Sequence, residues 1–90
     1  MEWIYESNRI ALTDDANRIL AEVTFPYVDE ETVNINQTFV DDSLRGLGVA
    51  GKLMEAAARQ IQKSGKKVVL TCPYSIKWFS KHHEYSDLLK

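Results

Sequence analysis

The 90-residue sequence predicts a mixed-sheet fold of the α/β class: an antiparallel meander of about four strands, a βαβ unit, and a short C-terminal helix. Three observations predict it. Four short runs rich in alternating apolar or β-branched residues fill the first 40 positions, with turn residues between them. One long amphipathic pattern follows, from Gly48 to Ser64. A continuous apolar run, Val68-Val69-Leu70, comes directly after it. Strand, helix, strand in succession is a βαβ unit, so its two strands run parallel with a right-handed crossover.

Each element has its own justification. Glu2 to Glu6 contains Trp3, Ile4 and Tyr5 and reads as the first strand, closed by a Ser7-Asn8 turn. Arg9 to Thr13 sets Ile10 and Leu12 on one face, a second strand. Asp14-Asp15-Ala16-Asn17 is turn chemistry. The third strand is read as Arg18 to Tyr27, with Ile19, Ala21, Val23 and Phe25 alternating, and Pro26 marks its end or an edge position. A charged turn, residues 28–31, leads to a fourth strand over Thr32 to Val40, with Val33, Ile35 and Phe39 expected on one face. In the long helix Val49, Leu53, Ala57 and Ile61 form a core-facing stripe, Lys52, Glu55, Arg59, Gln62 and Lys63 a wet face, and Gly65 the C-cap. Lys67 to Cys72 is expected as a strand buried on both faces. Ser75 is expected to cap the last helix, which runs to Lys81 with Ile76 and Phe79 inward, and Glu84 to Lys90 is a tail or a last turn.

Composition narrows the class. The chain reads as one domain, 1–90, near the low end for an independent core. Apolar content of 44%, charged content of 27% and a net charge of −2 fit a globular protein and offer no basic field for nucleic acid. A single cysteine leaves no internal disulfide or multi-cysteine zinc site and fits a reducing, cytoplasmic setting. No apolar run nears the roughly 20 residues of a membrane span. Met-Glu-Trp-Ile lacks the basic flank and apolar core of a secretion signal, so membrane, metal and nucleic-acid partners are not expected.

The stretch Val40 to Leu53 carries the chemistry. A glycine-rich turn between a strand and a helix start suits an anion, because the first helical N–H groups lack partners and glycines let the backbone approach closely. Three phosphate patterns overlap there. Gly46-Leu47-Gly48-Val49-Ala50-Gly51 has dinucleotide spacing, but the residues roughly 20 positions on, Leu70, Thr71 and Cys72, carry no ribose-binding acid. Gly46 to Leu53 approaches a P-loop, but Leu53 replaces the magnesium-holding hydroxyl. Arg45 to Ala50 satisfies [RQ]-x-x-G-x-[GA], which needs only a strand, a short loop and a helix.

That last pattern resembles the CoA-binding motif of the GNAT superfamily of N-acyltransferases. Thr38-Phe39-Val40, Thr71-Cys72-Pro73-Tyr74-Ser75, Lys81-His82 and Glu84-Tyr85 extend the resemblance to a branch of small single-domain members, over about Gln37 to Leu89. The resemblance implies that the fourth and fifth strands splay and hold acetyl-CoA in the gap. It places Phe39 and Val40 on the pantetheine, and the N–H groups of Gly46, Leu47, Gly48, Val49 and Ala50, with Arg45, on the pyrophosphate, with Gly51 also among the cofactor-binding residues. Lys52 would reach an adenosine-side phosphate, and Cys72, Pro73, Tyr74, Ser75 and Trp78 would close the other side. The implied activity is transfer of acetyl to a primary amine of an unidentified, conceivably macromolecular, acceptor; the alternative is a CoA-binding module without turnover.

Cys72 is the candidate catalytic residue, as acyl acceptor or as proton donor to the leaving thiolate, against a plain reading as a small buried hydrophobe. Gln37 stands where similar sequences often carry histidine, and an amide takes no proton at neutral pH. His82, His83, Tyr74 and Tyr85 read first as surface or packing residues. The two-residue Ser7-Asn8 turn leaves no room for the helices that wall the acceptor side in larger members, so that side is expected to be open.

Overall fold

A computed structural model describes all 90 residues, Met1–Lys90. Seven strands and two helices follow the order β1 (Glu2–Glu6), β2 (Arg9–Thr13), β3 (Ile19–Thr24), β4 (Tyr27–Asp29), β5 (Thr32–Ile35), β6 (Gln37–Val40), α1 (Val49–Ser64), β7 (Lys67–Leu70) and α2 (Pro73–Lys81). Short 3-10 turns cover Asp42–Leu44 and His83–Leu88. β1, β2, β3 and β6 form an antiparallel sheet in that order, and β4, β5 and β7 form a second sheet in which β5 and β7 are parallel.

The third and fourth expected strands are each broken in two. The stretch read as Arg18 to Tyr27 stops at Thr24, and after Phe25-Pro26 it resumes as β4 in the other sheet. Proline has no N–H for a continuous ladder, and Phe25, only 1% exposed, turns into the core at the break. The stretch read as Thr32 to Val40 breaks at Asn36. Asn36 N–H donates to Thr24 O (3.3 Å) although Gln37 is the registered partner of Thr24, so two residues oppose one, as in a β-bulge. The extra residue flips the alternation. Val33 and Ile35 point inward before the bulge, whereas Thr38 and Val40 do so after it, and Phe39 lies on the outer face, 41% exposed. Phe39 therefore does not share a face with Val33 and Ile35.

α1 lies across the inner face of the sheets. Leu53, Met54, Ala57, Ala58 and Ile61 are buried against Ile10, Leu12, Ala21, Val23, Val33, Ile35 and Val68. Burial of each large aliphatic side chain contributes about 1.5–3 kcal/mol, and the small Ala57 and Ala58 let the helix sit close to the strands. Gly65 ends the helix in the left-handed region (φ 75°), and Lys66 N–H reaches back to Ile61 O, closing a Schellman-type cap. β7 is only partly covered: Val68 is buried and Leu70 packs on the edge of the core from the same face, while Val69, on the other face, is half-buried.

α2 starts earlier than expected. Pro73 occupies its first turn and Cys72 its N-cap. This phase puts Ser75, Trp78 and Phe79 inward and leaves Ile76 52% exposed, so Ser75 is not the cap and Ile76 is not core. The C-terminal residues are not a loose tail. Tyr85 and Leu88 are buried, Leu89 bridges in parallel to Val68, and Lys90 N–H donates to Val68 O at 3.0 Å.

Candidate active site

The two sheets part at Ile35. β5 and β7 pair from Thr32–Lys67 to Ile35–Leu70, and the Ile35 carbonyl then accepts from both Thr71 N–H (3.2 Å) and Cys72 N–H (3.1 Å). Beyond it, β6 stays with β3 while the chain after β7 turns into α2, so the strands diverge from a vertex. β6 is the edge of its sheet. Asp41 N–H donates to Leu20 O (2.7 Å), and ladder alternation then gives the main chain of Phe39 and Gln37 to β3. The main-chain groups of Thr38 and Val40 face the open side. The donors next to the gap are thus those of Thr38 and Val40 rather than Phe39.

Past β6 the chain makes a bend built for exposed N–H groups. Asp41 starts the 3-10 turn by accepting from Ser43 N–H (3.0 Å) and Ser43 Oγ (2.6 Å), and these bonds hold its carboxyl below the usual range. Gly46 (φ 81°) and Gly48 (φ 74°) then take left-handed conformations that a side chain would strain. A Cβ built on either would meet nothing within 4 Å, so the bend stands open. Within α1 the first main-chain bond is Lys52 N–H to Gly48 O, and Gly46, Gly48, Val49, Ala50 and Gly51 N–H have no protein acceptor. Five unpartnered donors at the positive end of a 16-residue helix make an anion cradle. A recess of about 430 Å³ lies over it, lined by Val40, Leu44, Arg45, the glycines and Tyr74.

The remaining side chains sit around this recess in distinct ways. Arg45 is exposed, with Nε 2.8 Å from Asp42 Oδ1, and Leu47 is exposed at the tip of the bend. Val49 is buried, so only its main chain is available. Tyr74 Oη lies 3.8 Å from the Cβ position of Gly51, and burial pushes its hydroxyl pKa up. Pro73 is exposed, whereas Ser75 is fully buried and donates to Cys72 O (2.7 Å), supporting the turn from behind. Lys52 lines an adjoining recess of about 480 Å³ with Gly48, Gly51, Arg59, Trp78 and His82. Trp78 is buried and stacks on His82, their ring centroids 3.8 Å apart. Tyr85 is a packing residue whose hydroxyl reaches Glu55 Oε1 at 3.5 Å.

Cys72 closes the vertex. Its Sγ donates across the gap to Thr38 Oγ1 at 3.4 Å, and it is 6% exposed. Burial pushes the thiol pKa up, but hydrogen bonding with Thr38, the Ser75 and Tyr74 N–H groups and the Ser75 hydroxyl outweighs it, and the thiol is held below its usual value. Thr38 and Arg59 were not singled out as site residues from the sequence. The signal for Arg59 was its spacing, seven residues or two turns after Lys52 on one helix face.

The sequence profile of the GCN5-related N-acetyl-transferase family matches residues 9–88. The solution NMR structure of a protein described as a GCN5-like N-acetyltransferase from Staphylococcus aureus superposes with a TM-score of 0.81 at 31% identity, over 99% of this chain and 87% of that one. The protein NATD1 of Xenopus tropicalis is 34% identical over 62 residues, and the matched region covers 69% of this chain and 57% of the Xenopus protein. A crystal structure of the GNAT family N-acetyltransferase YhbS from Escherichia coli, in complex with CoA, shares the fold with a TM-score of 0.65 at 24% identity, over 83% of this chain and 48% of that one.

Proposed function

The chain belongs to the GCN5-related N-acetyltransferase family, and from that premise we propose that it binds acetyl-CoA and transfers the acetyl group to a primary amine. The observation that carries this reading is the open bend with five unpartnered N–H groups at the end of a strand whose neighbour has diverged. An acetyl thioester supplies an acyl carbon open to attack by a neutral amine and a sulfur that leaves as thiolate.

The residues present suit that ligand. Gly46 and Gly48 to Gly51 offer main-chain donors to a diphosphate, and Arg45 can leave its exposed pairing with Asp42 to join them. Lys52 and Arg59 flank the adjoining recess. Phe39, Val40, Pro73, Tyr74 and Trp78 border the path of the pantetheine. The Thr38 or Val40 N–H polarises the thioester carbonyl by donating to its oxygen. Cys72 holds a proton on Sγ at the vertex and can give it to a departing thiolate, or can itself accept the acyl group. Gln37 provides no base, so the amine must arrive neutral or lose its proton to water. The outer sheet face carries no covering helix, which supports a large acceptor. The single thiol fits a reducing cytoplasm.

Two observations favour a second reading, a CoA-binding module without turnover: the Cys72 thiol is 6% exposed and already engaged by Thr38, and Gln37 is an amide that takes no proton at neutral pH. Titration of the isotope-labelled protein with acetyl-CoA separates these readings from an unrelated one. Amide resonances of Thr38, Val40 and Gly46 to Gly51 are expected to shift saturably, with no response to NAD or ATP. Saturable NAD or ATP binding without a CoA response would overturn both. Bound acetyl-CoA with no thiol release for any amine would select the module.

A further inference from the structure

On the outer face, the vertex is surrounded by uncharged polar side chains. Val33 and Ile35 point inward, so Asn34 points outward, and Asn36 is the bulged residue just past the vertex. Thr71 Oγ1 donates to Asn34 Oδ1 (3.0 Å), and Thr24 Oγ1 donates to Asn36 Oδ1 (2.5 Å). Each amide oxygen is thereby occupied, and Nδ2 of both asparagines is left without a protein partner. Gln37, exposed on the same face, has no side-chain partner either.

Beside this cluster one arginine is shared between two carboxylates. Glu22, the outer-face carboxylate on the strand beside β6, is bonded by Arg9 Nε at 2.6 Å, and Arg9 NH1 also reaches Glu6 at 3.1 Å. The bend that suits a diphosphate follows the Val40 end of β6, so a thiol arm lying along β6 carries its acyl end toward Asn36 and the vertex.

We infer that Asn34 and Asn36 select the acceptor: an amine with a carbonyl oxygen beside it, such as an amino amide or the end of a peptide, in preference to a carbonyl-free polyamine. Nδ2 of either asparagine can donate to that oxygen, with Thr71 orienting Asn34 and Thr24 orienting Asn36. This rests on acetyl-CoA occupying the gap as proposed above.

The test uses the full chain saturated with CoA, titrated with glycinamide, with a tripeptide amide and with spermidine, following the side-chain NH2 resonances of Asn34 and Asn36. Both are expected to move with the two amides and not with spermidine. Asn36→Leu is expected to weaken the amides about ten-fold, the scale of one lost hydrogen bond, while CoA affinity stays within two-fold. Asn36→Asp is expected to shift preference toward spermidine. Equal responses to all three amines, or an Asn36→Leu that weakens spermidine as much as the amides, would overturn the inference. Resonances that move with the amides in a protein that releases no thiol would leave the inference standing and remove turnover. CoA failing to bind wild-type protein would overturn both.

Discussion

Gly48 offers the sharpest test of the anion cradle, because the protein supplies its own control. Gly48 and Gly65 have nearly the same left-handed backbone, φ 74° and 75°, at opposite ends of α1, and a Cβ would meet nothing within 4 Å at either. Alanine at either site should therefore cost only the left-handed strain, about 1 kcal/mol, or a fall in Tm of roughly 4–8 °C for a domain this size. The binding consequences differ. Gly65→Ala should leave CoA affinity unchanged, whereas Gly48→Ala places a methyl among the donors. Gly48→Glu adds a carboxylate about 4 Å from where a diphosphate would rest. That repulsion is worth about 1 kcal/mol if fully solvated and about 4 kcal/mol at an effective dielectric near 20, a loss of roughly 5- to 1,000-fold. Thermal melts and CoA titrations of the three variants measure both quantities. A Gly48→Glu protein that keeps CoA affinity within two-fold of wild type would refute the cradle. So would a Gly65→Ala protein that loses binding as fully as Gly48→Glu, since strain alone would then explain the effect.

The thiol and the bend give further expectations. Alkylation of Cys72 by iodoacetamide should show a pH midpoint below that of an unstructured cysteine peptide measured alongside, and Thr38→Val should raise it; a wild-type midpoint at or above the peptide's would contradict the hydrogen bonding described. Asp41 has a folded pKa depressed chiefly by Ser43, so its stabilising contribution is complete above the ordinary value of about 3.9 and is lost as pH falls through the depressed one. Ser43→Ala should move the Asp41 carboxyl titration, read by carbon NMR, up toward that ordinary value, and an unchanged titration would refute the assignment.

The elements set by side-chain period and by glycine were legible in the sequence. The Val49 to Ile61 stripe, the Gly65 cap and the Gly46 to Gly51 bend lie where residue spacing puts them. The breaks in the strands were not legible, because Val33, Ile35 and Phe39 read as one continuous alternation. The warning was Gln37, a polar residue at the in-phase position between Ile35 and Phe39. Pro26 gave the same warning on the partnering strand and reads in the sequence as an end or an edge position rather than a change of sheet. Ile76 misled because apolarity was weighed before phase; once Pro73 fixes the first turn of α2, a buried Ser75 follows from the three- and four-residue spacing to Trp78 and Phe79. Thr38 was legible only as part of the Thr38-Phe39-Val40 motif; its role beside Cys72 was not, since it lies in a contact 34 residues away.

The surplus residue at Asn36 has a consequence for how such a small chain comes to own a ligand slot. Without it, β5 and β6 would run on as one strand, leaving the break at Phe25-Pro26 and the turn after β7 as the remaining separations between the two sheets. The slot is therefore a matter of backbone count rather than of side-chain identity. Exchanging one amino acid for another at position 36 leaves that count intact. Removing one residue there would straighten the strand even if every other side chain were kept.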